Sequence, residues 1–204
     1  MKSNPRFSRL FLSLFAAAVI AVAAPVAANY AGAQGTVFAL TNALSGNQVI
    51  AFDRNADGSL GARRAYSTRG TGTGGGLGNQ GALTSSDSGQ WLLAVNPGSD
   101  SISVFLNFGG RLFRTDTEAS GGVRPVSVTI EDDIVYVLNA GSDNLQGFRL
   151  SIYGTLTPIS GSQRALSGSG TAPAQVEFNR DGDLLAVTEK ATNRVLTFAV
   201  DGDG

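Results

Sequence analysis

Five polar side chains in the second half of the sequence have the types and spacing to form one charged site: Arg124, Gln175, Glu189, Lys190 and Arg194. A pocket of arginine and glutamate can hold a small anion through charge-assisted hydrogen bonds, with Glu189 activating a water molecule. In that reading Glu189 and Arg194 are the catalytic candidates, and Arg124, Gln175 and Lys190 the binding ones. The competing reading is structural. Polar residues at equivalent positions of a repeat cap strands and pair neighbouring sheets, and clustered charge is only a statistical pointer to function. The chain has no histidine and no cysteine. It therefore lacks the commonest general base, the commonest transition-metal ligand, thiolate metal sites and disulfides. No metal site and no cofactor is expected.

Two further motifs imitate known chemistry. The run Gly70-Thr-Gly-Thr-Gly-Gly-Gly-Leu-Gly-Asn-Gln80 resembles a phosphate-cradling loop, but such a loop ends in Gly-Lys-Ser/Thr and opens a helix. Neither follows here, so a flexible connector between strands is expected. Asp53-Arg-Asn55-Ala-Asp57-Gly58 imitates the start of a calcium loop, whose twelfth position should be a bidentate glutamate and is Arg64. A hairpin turn is expected there, and likewise at Asp181-Gly-Asp183 and Asp201-Gly-Asp203.

The elements that must position these residues are legible from an internal repeat. Val37-Phe-Ala-Leu-Thr-Asn42, Trp91-Leu-Leu-Ala-Val-Asn96, Val135-Tyr-Val-Leu-Asn139 and Leu184-Leu-Ala-Val-Thr-Glu189 are strand-forming runs that each end on a polar residue. A turn follows each, closing at Asn47, Asp100, Asp143 and Asn193, and then a second strand carrying Phe52, Phe105, Phe148 or Phe198. The polar ends are spaced 54, 43 and 50 residues apart. That spacing fits propeller blades of four antiparallel strands, which repeat every ~40–50 residues. Inner strands are expected within 81–89, 125–130 and 173–182, and an outer strand within 154–158. The 27 glycines, well above the usual ~7%, agree with many tight turns. The expected fold is an all-β propeller with about two complete blades and two partial ones, the first lacking its inner strand and the last its outer strand.

The N-terminus reads as a targeting device. Lys2, Arg6 and Arg9 precede an apolar run from Leu10 to Ala24. Val26 and Ala28 stand at the −3 and −1 positions of a cut before Asn29, and Ala31 and Ala33 offer a second cut before Gln34. The run is shorter than the ~20 residues that span a bilayer and breaks at Pro25. The expected organisation is a signal peptide over residues 1–28, export to the periplasm or beyond, and a propeller domain over 29–204. Without its leader the chain has twelve basic and sixteen acidic residues, a net charge of −4. Such a surface does not suit nucleic acid or anionic lipid, which need grouped lysine and arginine. The expected partners are a small anionic ligand or a protein at the rim, and a second copy through open blade edges.

Val135-Tyr-Val-Leu-Asn139-Ala-Gly-Ser-Asp143 and Val187-Thr-Glu189-Lys-Ala-Thr-Asn-Arg194 resemble the YVTN-type repeat of the lactonase-like β-propellers, which include 6-phosphogluconolactonase and 3-carboxymuconate cyclase relatives. The resemblance covers about residues 35–204. It implies a seven-bladed ring about twice this long, so that the sequence is expected to be a partial chain. It also implies a site of histidine, arginine and an acidic residue at the channel mouth. Arg194 matches the family's arginine, and Glu189 stands where the family often has aspartate. By this resemblance the family's two histidines are missing, with Ala172 and Gln175 near their places. A binding or scaffold module without catalysis is the expectation, with a lactone hydrolase or cyclase completed by further blades as the alternative.

Overall fold

Short runs of β-branched and aromatic residues, interrupted by Gly, Asn and Asp that supply positive-φ turns, leave the chain little choice but antiparallel hairpins. The computed structural model describes residues 33–204, and the expected leader lies outside the described residues. These residues form four consecutive sheets and contain no helix. The first joins β1 (Ala33–Leu40), β2 (Gln48–Asn55) and β3 (Leu60–Ser67). The second joins β4 (Leu83–Ser85), β5 (Trp91–Asn96), β6 (Ser101–Phe108) and β7 (Arg111–Ala119). In the third, β8 (Pro125–Glu131), β9 (Ile134–Asn139), β10 (Asn144–Leu150) and β11 (Leu156–Pro158) pair in order. The fourth contains β13 (Pro173–Phe178), β14 (Leu184–Glu189) and β15 (Arg194–Ala199). Within each of these sheets the strands named pair with their sequence neighbours, as in a propeller blade. The first sheet begins at the second strand of the repeat and the fourth ends at the third strand, as the repeat predicts.

One detail departs from the sequence reading. The outer strand of the third blade is broken in two: β11 pairs with β10 at Phe148–Leu150, and a two-residue strand, β12 (Arg164–Ala165), pairs with β10 at Asn144 and Leu145. Between the two pieces the chain folds back over Ser162, whose hydroxyl accepts a hydrogen bond from Gln146 Nε2 at 2.9 Å. Ser162 thereby joins the carbonyl oxygens of Gly147 and Ile159 as acceptors for the buried Gln146 amide.

The core lies between the sheets rather than within any one of them. Phe148, Leu93, Ile102, Val104, Val128 and Val135 join the second and third blades. Val126, Tyr136, Leu138, Leu145, Val176, Leu185 and Val187 join the third and fourth. Phe105, Val49, Leu92 and Leu112 join the first and second. The inner strands β8 and β13 both shift register at the same repeat position, between Pro125 and Ser127 and between Pro173 and Gln175. Bulges of this kind re-aim the chain, here where each inner strand enters its sheet.

Candidate functional site

The N-terminal ends of the inner strands and the polar ends of their neighbours form one rim, where Pro125 pairs with Asn139 and Pro173 with Glu189. All five residues singled out in the sequence lie at or near this end, on β13, at the ends of β14 and β15 or in the adjoining turns, but they do different things.

Glu189 closes β14 and is 2% exposed. Its carboxylate accepts hydrogen bonds from Ser167 N at 2.9 Å, from Ser167 Oγ at 2.5 Å and from Thr192 Oγ1. Burial pushes its carboxyl up, but these hydrogen bonds and the charge of Arg194 outweigh burial and hold it below the ordinary glutamate value. Arg194 faces Glu189 across the β14–β15 pair, and its side chain is exposed. Lys190 donates from Nζ to the carbonyl oxygen of Gly78 at 2.6 Å, which ties the fourth blade to the glycine-rich segment. Gln175 donates to Glu177 Oε2 at 3.3 Å, along its own strand and away from the rim. Arg124 sits at a positive φ of 54° just before Pro125, with its side chain exposed. The structure thus brings Glu189 and Arg194 together, turns Gln175 elsewhere, and leaves Arg124, Lys190 and Arg194 exposed, Lys190 bonded to the Gly78 carbonyl.

Sequence reasoning missed the residues that hold this rim together. Asp100 and Asp143 occupy the same turn position in successive blades, with φ of 51° and 47°. Asp100 accepts from Arg124 N at 2.7 Å. Asp143 accepts from Gly170 N at 2.7 Å, Thr171 N at 3.0 Å and Thr171 Oγ1 at 2.6 Å. Burial raises the Asp143 carboxyl, but these donors and the Arg124 charge together lower it below the ordinary aspartate value. Each aspartate thereby latches its turn to the segment that enters the next inner strand. The signal was present in the sequence as an Asx residue recurring at the close of each turn. In the first blade Asn47 ties its turn instead to the end of β5, donating to Val95 O at 2.9 Å and to Asn96 Oδ1 at 3.1 Å.

The glycine-rich segment is pinned rather than loose, contrary to the expectation of a flexible connector. Gly72 N donates to Ala43 O and Gly74 N to Asn42 O, both at 2.8 Å. Asn42 Oδ1 accepts from Thr73 N at 2.9 Å, and Gln80 N donates to Ala174 O at 3.1 Å. Glycine is required where the segment crosses the first blade: a Cβ on Gly72 would stand 2.1 Å from the carbonyl carbon of Asn42. Gly72→Ala is expected to lower stability by about 1–3 kcal/mol, the usual cost of forcing atoms into a packed site. Gly75→Ala, where a Cβ meets nothing within 4 Å, should be near neutral. Thermal unfolding of the two variants side by side checks this; equal melting points would contradict the close approach.

The calcium-like segment is the expected hairpin turn. Asp57 Oδ1 accepts from Ser59 N at 2.9 Å and Oγ at 2.7 Å, and Asp53 pairs with Arg64 at 2.5 Å on the adjacent strand. At 179–184 the Asn179 side chain closes the turn, accepting from Asp183 N and Leu184 N at 3.1 Å each.

The comparisons with known proteins agree with this geometry. The sequence model of the family described as lactonase, 7-bladed beta-propeller, matches residues 32–169. The periplasmic gluconolactonase of Pseudomonas aeruginosa superposes with a TM-score of 0.63 at 19% identity, over 82% of this chain and 50% of that one. A provisionally assigned 6-phosphogluconolactonase from Bacteroides fragilis gives 0.59 at 19% identity, over 81% and 54%. A Lactobacillus plantarum protein gives 0.61 at 17%, over 77% and 48%. At such identities the likeness is one of fold, and the chain spans about half the length of these structures. A search of the curated proteins gives no match.

Proposed function

The chain belongs to the lactonase family of seven-bladed β-propellers, and from that premise we propose that it is an exported binding module, holding a small anion of the sugar-acid or lactone class at its rim without turning it over. The state of Glu189 carries this reading. A general base needs a pKa near the working pH and a free lone pair facing the substrate. Glu189 is buried, accepts three hydrogen bonds from Ser167 and Thr192, and is pushed further into its weakly basic form. Exposed Arg124 and Arg194 keep the capacity to grip a carboxylate or phosphate. The leader read in residues 1–28 supports export.

The alternative is a lactone hydrolase or cyclase whose site further blades complete. It is favoured by the chain covering about half of its structural relatives. Hydrolysis of glucono-δ-lactone and its 6-phosphate, followed by pH-stat, separates the two. The binding module leaves the spontaneous rate unchanged, while gluconate and 6-phosphogluconate bind and lose about tenfold affinity in Arg124→Ala or Arg194→Ala, the worth of one charged hydrogen bond. Turnover above background that Glu189→Gln abolishes at an unchanged melting point would overturn the binding reading.

A further inference from the structure

The strands β2, β6 and β10 each start at the rim and end in a hairpin turn on the opposite side of the propeller. All three turns carry a large apolar residue at the tip. Leu60 opens β3 after the first, Phe108 closes β6 before the second, and Ile152 and Tyr153 stand in the third. They are 53%, 75%, 82% and 80% exposed. Turn tips ordinarily carry Gly, Asn, Asp or Ser, and single apolar residues scattered over a surface need no explanation. One repeat position that is apolar and exposed in three consecutive blades is not scatter, and such surfaces mark contact with a protein or a membrane.

The turns are pinned in place. Ser151 N donates to Thr155 O and Gly154 N to Ser151 O, both at 2.9 Å, and Thr115 Oγ1 of the second blade donates to Gly154 O at 2.9 Å. A Cβ on Gly154 would stand 2.6 Å from Trp91 Cζ3, so this turn lies directly against the indole. Asn107 Oδ1 accepts from Gly110 N at 3.0 Å while Asn107 Nδ2 donates to Gly89 O at 2.8 Å. Asn55 N donates to Ser59 O at 2.9 Å in the first turn. The apolar side chains are therefore presented to the outside by turns that are already ordered.

Three features favour a lipid surface over a protein partner. An arginine stands directly opposite the apolar residue in two of the turns, Arg54 against Leu60 and Arg111 against Phe108. An apolar side chain beside a long basic one suits the boundary between acyl chains and headgroup phosphates. The chain also enters the propeller at this end: Ala33 pairs with Asn55 at the first turn, and a Cβ on Gly110 of the second turn would stand 2.1 Å from Thr36 Oγ1. The apolar run Leu10–Ala24 thus joins the fold on the side of the exposed tips. Finally, the tips are separate points on three blades, whereas a stable protein interface needs about 800 Å² of matched surface per partner. A fluid bilayer adapts to separate points. We propose that this end of the propeller seats on a zwitterionic bilayer surface, with Leu60, Phe108, Ile152 and Tyr153 entering the headgroup boundary. The inner strands end on the same side around an acidic cleft lined by Asp87, Glu131 and Glu177, which repels anionic lipid. Seating therefore rests on apolar insertion, and it is independent of what the rim binds.

Trp91 is the only tryptophan of the chain and lies against the Ile152–Tyr153 turn, so its fluorescence reports seating of the propeller itself, whether or not the leader is retained. The full chain is titrated with vesicles of phosphatidylcholine carrying brominated acyl chains. Trp91 emission should be quenched saturably, and the quenching should survive ~0.5 M salt, which screens surface charge. Phe108→Ser, and Ile152→Ser combined with Tyr153→Ser, should each need at least about tenfold more lipid for half quenching, the worth of one large apolar side chain withdrawn from water. Their melting points should match the parent, because these side chains are exposed. Leu44→Ser and Val123→Ser, exposed apolar positions at the rim, should titrate like the parent. Vesicles rich in phosphatidylglycerol should be bound more weakly. Absence of quenching at saturating lipid, including vesicle binding through the leader that leaves Trp91 unquenched, would overturn the proposal. So would full quenching in both tip variants, or equal weakening by the rim variants. A lipid-free dimer that the tip variants dissociate would assign the tips to a second copy of the chain and overturn it as well.

Discussion

Replacing Phe148 by alanine should cost about 3–5 kcal/mol, the usual price of emptying a fully buried aromatic site. Phe148 is 0% exposed and packs in the cluster that joins the second and third blades, with Leu93, Val104, Val128 and Val135 around it. Because the cluster is shared, the cavity weakens two sheets at once. The control is Phe198, which occupies the same repeat position on β15 but is only partly buried. Phe198→Ala should cost clearly less. Urea unfolding followed by circular dichroism measures both. Comparable losses at the two positions would mean that the contacts between blades do not carry the stability assigned to them. Stacked repeats exchange stability with their neighbours, so the Phe148 variant should also broaden the transition as the blades uncouple.

Glu189→Ala is expected to lose about 2–4 kcal/mol, because it strands the Ser167 amide and hydroxyl and the Thr192 hydroxyl near a buried position. For a domain of this size that is a fall in melting temperature of roughly 5–15 °C. The pH dependence gives a second signature. The folded-state pKa of Glu189 is lowered from its ordinary value of 4.5. Its contribution is therefore fully present above about pH 4.5 and is lost as the pH falls through the lower folded value. The difference in stability between the parent and Glu189→Gln should be constant near neutrality and shrink in acid. A difference that does not change between pH 7 and pH 3 would show that the carboxylate is not held as an anion. The same variant distinguishes latch from base, since a latch loses stability and a base loses turnover.

Much of this molecule is written in short patterns. Polar strand ends at Asn42, Asn96, Asn139 and Glu189 predict four sheets, and the sheets are where the repeat places them. The incomplete first and last sheets are equally legible, because a missing strand leaves a gap in a repeat. The broken outer strand of the third blade was not, since β11 and β12 are together only five residues, too short to leave a pattern. Site residues were legible as types and not as roles. Glu189 and Arg194 are neighbours across a hairpin, so local pairing brings them together. Whether the Glu189 carboxylate is free or engaged depends on where Ser167 arrives, 22 residues earlier in the chain.

The five charged and polar residues from which the reading began are accordingly divided. The sequence alone determined that Glu189 and Arg194 would meet and that Arg124 and Lys190 would share their end of the inner strands, because strand period and turn chemistry act over a few residues. Only the tertiary structure decided that Glu189 is a latch, that Lys190 is spent on Gly78 and that Gln175 turns away from the rim. It also decided that Asp87, Glu131 and Glu177, separated in sequence by more than forty residues at each step, line one cleft. The fates of Glu189 and Lys190 and the shared cleft follow from where segments distant in sequence arrive, and such contacts have no period that a single strand could reveal.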